Sequence, residues 1–133
     1  MIRFTKRIEY SLIAIKHMDS LGRISIVSAK EIAYKYKLPT EVLAKLLQQL
    51  VRLGYIKSKQ GPKGGYFLNR DKIRAENLVR FIEKIEGPIG IVNCNIDEDC
   101  DIIDKCNIQL PMNRINQNIR QYLNNIKIEE IIL

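Results

Sequence analysis

No stretch of the chain approaches the ~18 consecutive apolar residues that a membrane-crossing helix needs, so a spanning helix is excluded. The N-terminus, Met1-Ile2-Arg3-Phe4-Thr5-Lys6-Arg7, lacks the apolar core and small-residue cleavage site of a secretory signal, and a cytoplasmic protein is expected. Cysteine is scarce: Cys94, Cys100 and Cys106 are the three in the chain. An odd, clustered set in a reducing compartment speaks against a disulfide framework and for metal binding or redox chemistry. Histidine is scarcer still, with His17 alone. No nucleophile–base pair and no phosphate loop with a lysine partner is evident, which argues against an enzyme. Internal repeats and low-complexity segments are also missing.

What the chain does have is positive charge, unevenly spread. Residues 1–74 carry 16 Lys and Arg against 5 Asp and Glu, a net of +11; residues 75–133 carry 6 against 10, a net of −4. A basic first half suits a polyanionic partner. At 133 residues one core without staples is expected. Three segments are expected, a basic head (1–86), a cysteine loop (87–110) and a last helix with a tail (111–133), whose roles follow from the residues in each. The fold class is mainly α with a small β-wing.

Apolar Ile8, Leu12, Ile15 and Met18 recur at helical spacing over residues 5–21, with Thr5 as N-cap. Glu9 and His17 could carry chemistry. Eight positions apart, they lie about 12 Å from each other along the axis, too far for one small cofactor. His17 reads as a surface or boundary residue and Glu9 as an exposed carboxylate. Gly22 ends the helix, and Ile24-Ser25-Ile26-Val27 is a short extended piece. Ser28 and Glu31 form a capping box for a second helix that runs to about Lys37 and buries Ile32 and Ala33.

A third helix over 40–53 has two faces. Leu43, Leu46, Leu47, Leu50 and Leu53 form the apolar stripe; Glu41, Lys45, Gln48, Gln49 and Arg52 lie opposite. Long polar side chains with few acids suit a helix in a DNA major groove, although a solvated face has the same composition. The next segment tips the balance. After Gly54, Tyr55–Lys59 reads as a strand, Gln60-Gly61-Pro62-Lys63-Gly64-Gly65 as a tight turn and Tyr66–Leu68 as the return strand. Two helices followed by a basic, glycine-rich hairpin is the order of a winged helix-turn-helix. The candidate DNA-contacting residues are Thr40, Glu41, Lys45, Gln48, Gln49, Arg52, Lys59, Gln60 and Lys63. The two wing lysines are suited to phosphates or the minor groove.

Asn69-Arg70-Asp71 reads as a turn, and 75–86 as an amphipathic helix stopped by Gly87-Pro88. Beyond the cysteine loop, Pro111 opens a helix over 111–126. Met112, Ile115, Ile119, Tyr122 and Ile126 alternate in steps of three and four, a heptad seam suited to a second copy of the chain. Packing within its own domain is the alternative. Ile128, Ile131, Ile132 and Leu133 form an apolar tail whose cover is expected on the partner.

With Arg3-Phe4-Thr5-Lys6, the wing Gln60–Tyr66, Cys94-x5-Cys100-x5-Cys106 and Tyr122-Leu123-Asn124-Asn125-Ile126, essentially the whole chain resembles the IscR/NsrR-type family of winged-helix transcription regulators. The resemblance implies a homodimer on a near-palindromic double-stranded promoter site, with an iron–sulfur cluster in each subunit. IscR-like members use a histidine three residues after the last cysteine as fourth ligand; here Gln109 stands there. NsrR-like members use a carboxylate from the first helix of the other subunit, and Glu9 occupies the corresponding position. The ligand set implied is Cys94, Cys100, Cys106 and Glu9, with the loop carboxylates Asp97, Asp99, Asp101 and Asp104 as rivals.

A 4Fe–4S cluster is preferred over 2Fe–2S, and the expected role is sensing of redox, nitric oxide or iron–sulfur status. The alternative is a regulator of the same fold that uses its thiols, or a partner protein, without a cluster. The acidic neighbours are poor company for a reactive thiolate. A structural zinc site is disfavoured because the x5 spacing is wider than a zinc knuckle's.

Overall fold

The computed structural model describes residues 3–23, 25–96 and 100–132. Its element order is α1 (Lys6–Ser20), α2 (Ala29–Tyr36), α3 (Thr40–Leu53), β1 (Ile56–Lys59), β2 (Gly65–Leu68), α4 (Arg70–Arg74), α5 (Leu78–Glu86), α6 (Gln109–Asn124) and α7 (Ile128–Ile132). Two single 3₁₀ turns, Asn93–Asn95 and Ile103–Lys105, lie between α5 and α6. The chain is mainly helical with one small antiparallel wing, as its periodicities require.

The caps follow from side-chain chemistry. Thr5 accepts from the Ile8 amide, and Ser28 accepts from the Glu31 amide, each satisfying a donor that the first helical turn leaves unpaired. Lys37 takes a left-handed conformation after α2, so α2 and α3 meet across the short turn Lys37-Leu38-Pro39. Pro39 starts α3 without a side-chain cap, and Gly54 closes it.

Leu43, Leu46, Leu47 and Leu50 are buried, while Glu41, Lys45, Gln48 and Arg52 are exposed. Burying one such leucine stabilises the fold by about 1.5–3 kcal/mol. Leu43, Leu47 and Leu50 pack with Ile8 and Ile15 of α1, Ile32 of α2, Tyr55, Ile56 and Phe81 of α5 in one core.

The wing pairs Ile56 with Leu68, Lys57 with Phe67, Ser58 with Tyr66 and Lys59 with Gly65. Val27 adds a third edge, exchanging backbone hydrogen bonds with Tyr66 at 2.9 and 2.7 Å. This is what the extended piece before α2 does; its Ile24 lies outside the described residues.

Four expectations need correction. Asn69-Arg70-Asp71 is not a plain turn but the start of α4, a helix too short to show a periodicity. The helix expected over 75–86 begins only at Leu78, because Asn77 caps it through the Arg80 amide. The last long helix starts at Gln109, two residues before Pro111, whose missing N–H falls in the first turn where no intrahelical acceptor is due. The tail is covered within its own chain: residues 126–128 lie against 76–78 through Leu78 N to Ile126 O (2.8 Å) and Ile128 N to Glu76 O (3.1 Å). Ile128 and Ile132 thereby enter the head's core. Leu133 lies outside the described residues.

Candidate nucleic-acid interface and cysteine segment

The exposed face of α3 and the wing form one surface. A groove between them is lined by Gln48 and Val51 of α3 and by Ser58, Lys59, Gln60, Gly61, Gly64, Gly65 and Tyr66. The groove closes at the tip because the Gly64 amide bonds the Gly61 carbonyl at 2.9 Å. A Cβ on Gly64 would collide with the Lys59 carbonyl, so only glycine lets the two arms come this close. Lys59, Gln60 and Lys63 are exposed around it. Lys45 and Arg52 share the exposed side of α3 with Glu41, and Thr40 is exposed at the helix start.

Gln49 does not join that face. It is half-buried, its Oε1 accepts from Arg7 Nη2 of α1, and its Nε2 reaches the Ile85 carbonyl at 3.4 Å. Its neighbour Gln48 points into the wing groove. Sequence reasoning grouped the two because both fall on the polar half of the wheel. It also missed a second basic patch. Lys30, Tyr34, Lys35 and Lys37 surround the start of α3 with Thr40, and Tyr34 is 90% exposed. The signal available was the lysine density of residues 30–37.

The three cysteines are free thiols, each half-buried. Cys94 sits in the turn Asn93–Asn95, Cys100 in irregular chain, and Cys106 directly after the turn Ile103–Lys105. Among the described residues no three of His, Cys, Asp and Glu converge on a single-ion site. The donor chemistry nevertheless fits an iron–sulfur group: three soft sulfur donors within a 13-residue segment, flanked by exposed Asp101 and Asp104. Asp97 and Asp99, the other rivals for the fourth position, lie outside the described residues. Gln109 is the first residue of α6.

Glu9 is half-exposed on the first turn of α1, where it pairs with Lys6 at 2.9 Å. That hydrogen bond and the Glu9 charge hold the Lys6 ammonium above its usual value. His17 is not a surface residue: it is 7% exposed, and Nδ1 lies 2.8 Å from the Tyr36 hydroxyl. Burial, then the Lys35 charge, lowers its pKa.

On α6, Ile108 (just before the helix), Ile115 and Tyr122 recur every seven residues and are 51%, 43% and 70% exposed. Met112 and Ile119 are half-buried between them. Leu123 and Ile126 instead pack on the head's core. The seam expected from the sequence is thus divided between an exposed stripe and a face docked at home.

The model of the Rrf2 family, described as an iron-dependent transcriptional regulator, matches residues 4–133. Among solved structures, CymR, the global cysteine regulator of B. subtilis, is 25% identical with a TM-score of 0.73, covering 99% of this chain and 97% of its own. CymR of Staphylococcus aureus (24% identity, TM-score 0.71, 96% of each chain) and IscR of T. potens (21%, 0.69, 98% and 86%) share the fold. No helix among the described residues is long and apolar enough to cross a membrane. The chain belongs to the Rrf2 family and is a transcription regulator.

Proposed function

We infer that two copies of the chain bind a near-palindromic site in double-stranded DNA, and that Cys94, Cys100 and Cys106 hold an iron–sulfur cluster that governs this binding. The observation that carries the reading is the position of three free, half-buried thiols between a basic winged head and a helix with an exposed apolar stripe. Gln48 and Gln60 reach base edges, while Lys45, Arg52, Lys59 and Lys63 meet phosphates or the minor groove. Lys30 and Lys37 extend the phosphate contacts to the first helix of the helix-turn-helix. Glu9 of the opposite subunit is the preferred fourth donor, exchanging its local Lys6 partner for the metal. A bound 4Fe–4S cluster supplies a centre that oxidants and nitric oxide can attack, and a non-thiolate fourth donor leaves one iron the more open to them. Ligation across subunits would tie α1 of one head to the thiols of the other and so set the separation of the two α3 helices. Each must meet a major groove roughly 34–36 Å from the other.

Anaerobic purification tests this directly. A brown protein with a broad band near about 400 nm is expected, and it should bleach when Cys94, Cys100 or Cys106 is replaced by Ala. Glu9→Ala should give a dimer with a labile or spectrally altered cluster. An unchanged cluster in Glu9→Ala together with its loss in Asp101→Ala or Asp104→Ala would move the fourth ligand into the loop.

The likeness to CymR, the global cysteine regulator of B. subtilis, favours a second reading, in which the same thiols or a partner protein regulate DNA binding without a cluster. Colourless anaerobic protein with cysteine-dependent DNA binding would select it.

A further inference from the structure

The one buried residue of α6 is polar. Asn116 is 7% exposed, where an amphipathic helix would place a leucine. Its Oδ1 accepts the Ile91 amide at 3.2 Å. Three residues earlier, on the same helix face, Asn113 Oδ1 accepts from Asn95 Nδ2 at 2.6 Å. These two bonds grip the chain on either side of Cys94. Between them the segment closes on itself: the Asn95 amide bonds the Val92 carbonyl at 3.0 Å. A Cβ on Gly90 would lie 2.5 Å from Ile96 Cγ1 and 2.8 Å from Asn95 Cβ, so glycine there lets the loop pack this tightly. The arrangement is also not the one that polar satisfaction alone would select. Asn95 Oδ1 is buried without a partner among the described residues, a cost that a turn serving only to connect two helices can avoid.

We propose that Asn113 and Asn116 are positioning residues that hold Cys94 against the dimer helix. Cys94 is thereby the fixed member of the thiol set, to which Cys100 and Cys106 are brought. A group seated on the thiols then pulls on α6 through these two side-chain hydrogen bonds, and α6 with the residue before it bears the stripe Ile108, Ile115 and Tyr122. The inference rests on the cluster reading for its consequence, and on the geometry at Cys94 for its substance. Backbone anchoring of a metal ligand acts as outer-shell hydrogen bonds do, where single replacements change metal retention about 10–100-fold.

Two measurements separate the tether from that reading. In cluster-free, reduced protein, Asn113→Ala and Asn116→Leu should raise the thiol-labelling rate of Cys94 about 10-fold or more while Cys106 keeps its own rate. Asn113→Asp and Asn116→Asp retain an acceptor oxygen and should restore the wild-type rate. In reconstituted protein the first two variants should lose the cluster about 10–100-fold faster, with the Asp variants again near wild type. Asn113 is only half-buried, so Asn113→Ala keeps the test open if Asn116→Leu does not fold. Equal labelling gains at Cys94 and Cys106, or no gain at either, would overturn the proposal. A wild-type chain that takes up no cluster would defeat the cluster reading, and the labelling rates would still decide the tether.

Discussion

Glu76 is a charged side chain 3% exposed in the heart of the head. It accepts hydrogen bonds from the Tyr55 hydroxyl at 2.7 Å and Lys84 Nζ at 3.2 Å, with Arg80 Nε at 3.4 Å. Burial pushes its pKa up, but the bonds from Tyr55 and Lys84 and the charges of Lys84 and Arg80 outweigh burial, and the carboxyl sits below its ordinary value. Burial and the same carboxylate drive the Tyr55 phenol far upward, so it stays a neutral donor. A depressed acid stabilises the fold at pH above its unfolded value, near 4.5, and that stability is lost as pH falls through the lower folded value. Urea titrations should therefore show wild type losing stability below about pH 4.5, and Glu76→Gln losing less over the same window. Tyr55→Phe should cost about 1–3 kcal/mol at neutral pH by leaving the carboxylate short of a donor. Identical acid limbs in wild type and Glu76→Gln would show that the carboxylate gains nothing from its site. His17 acts with the same sign, and its loss of stability begins higher, as pH falls below 6.5. Adjacent Gln48 and Gln49 make a second residue-level contrast. Gln48→Ala should change base preference by about 1–3 kcal/mol at one position of a selected DNA site. Gln49→Ala, which breaks contacts to Arg7 and Ile85, should lower stability and leave preference intact. A shift of preference in Gln49→Ala alone would reverse the assignment.

At the level of elements, the wing carries the clearest electrostatic test. Lys59 and Lys63 flank a tip that Gly64 allows to close. If each meets one phosphate, Lys59→Ala and Lys63→Ala should each lower the slope of log K against log salt by about 0.9, with little change in sequence preference. Slopes equal to wild type would take the wing out of the interface. Elements with long periodic patterns or definite turn chemistry were legible in the sequence: α1 with its Thr5 cap, α3 to the residue, and both arms of the wing. What escaped was decided by contacts far apart in the chain. The five residues of α4 are too few to display a period, and Asn69 before them serves turns and helix starts alike. Ile128 and Ile132 announce that they need cover without saying whose; the pairing of 126–128 with 76–78 decides it. The spacing of the cysteines was plain, but nothing in it revealed that Asn113 and Asn116 would reach back to their segment.

Across the whole molecule, charge is divided between a basic head and an acidic remainder, and on the proposed reading the first meets DNA while the second joins subunits. The proposed subunit surface can be tested without disturbing the core, because the apolar residues of the last helical stretch face two ways. Leu123 and Ile126 pack on the head, so their loss would damage the fold itself. Ile115, at 43% exposure in the middle of the Ile108–Ile115–Tyr122 stripe, can be altered with far less effect on the single chain. A stripe repeating every seven residues packs against an equivalent helix by inserting each side chain between those of the partner. Ile115→Asp places a charge in that seam, where burial in the dimer would leave it unpaired. Sedimentation should then show monomers whose circular dichroism and wing geometry match wild type. Binding to a full palindrome should fall by about 10²–10⁴, because the second half-site is no longer held at high effective concentration, while binding to an isolated half-site should be unchanged. Equal losses on full and half sites would mean that the head had been damaged, and a stable Ile115→Asp dimer would place the subunit interface on another surface.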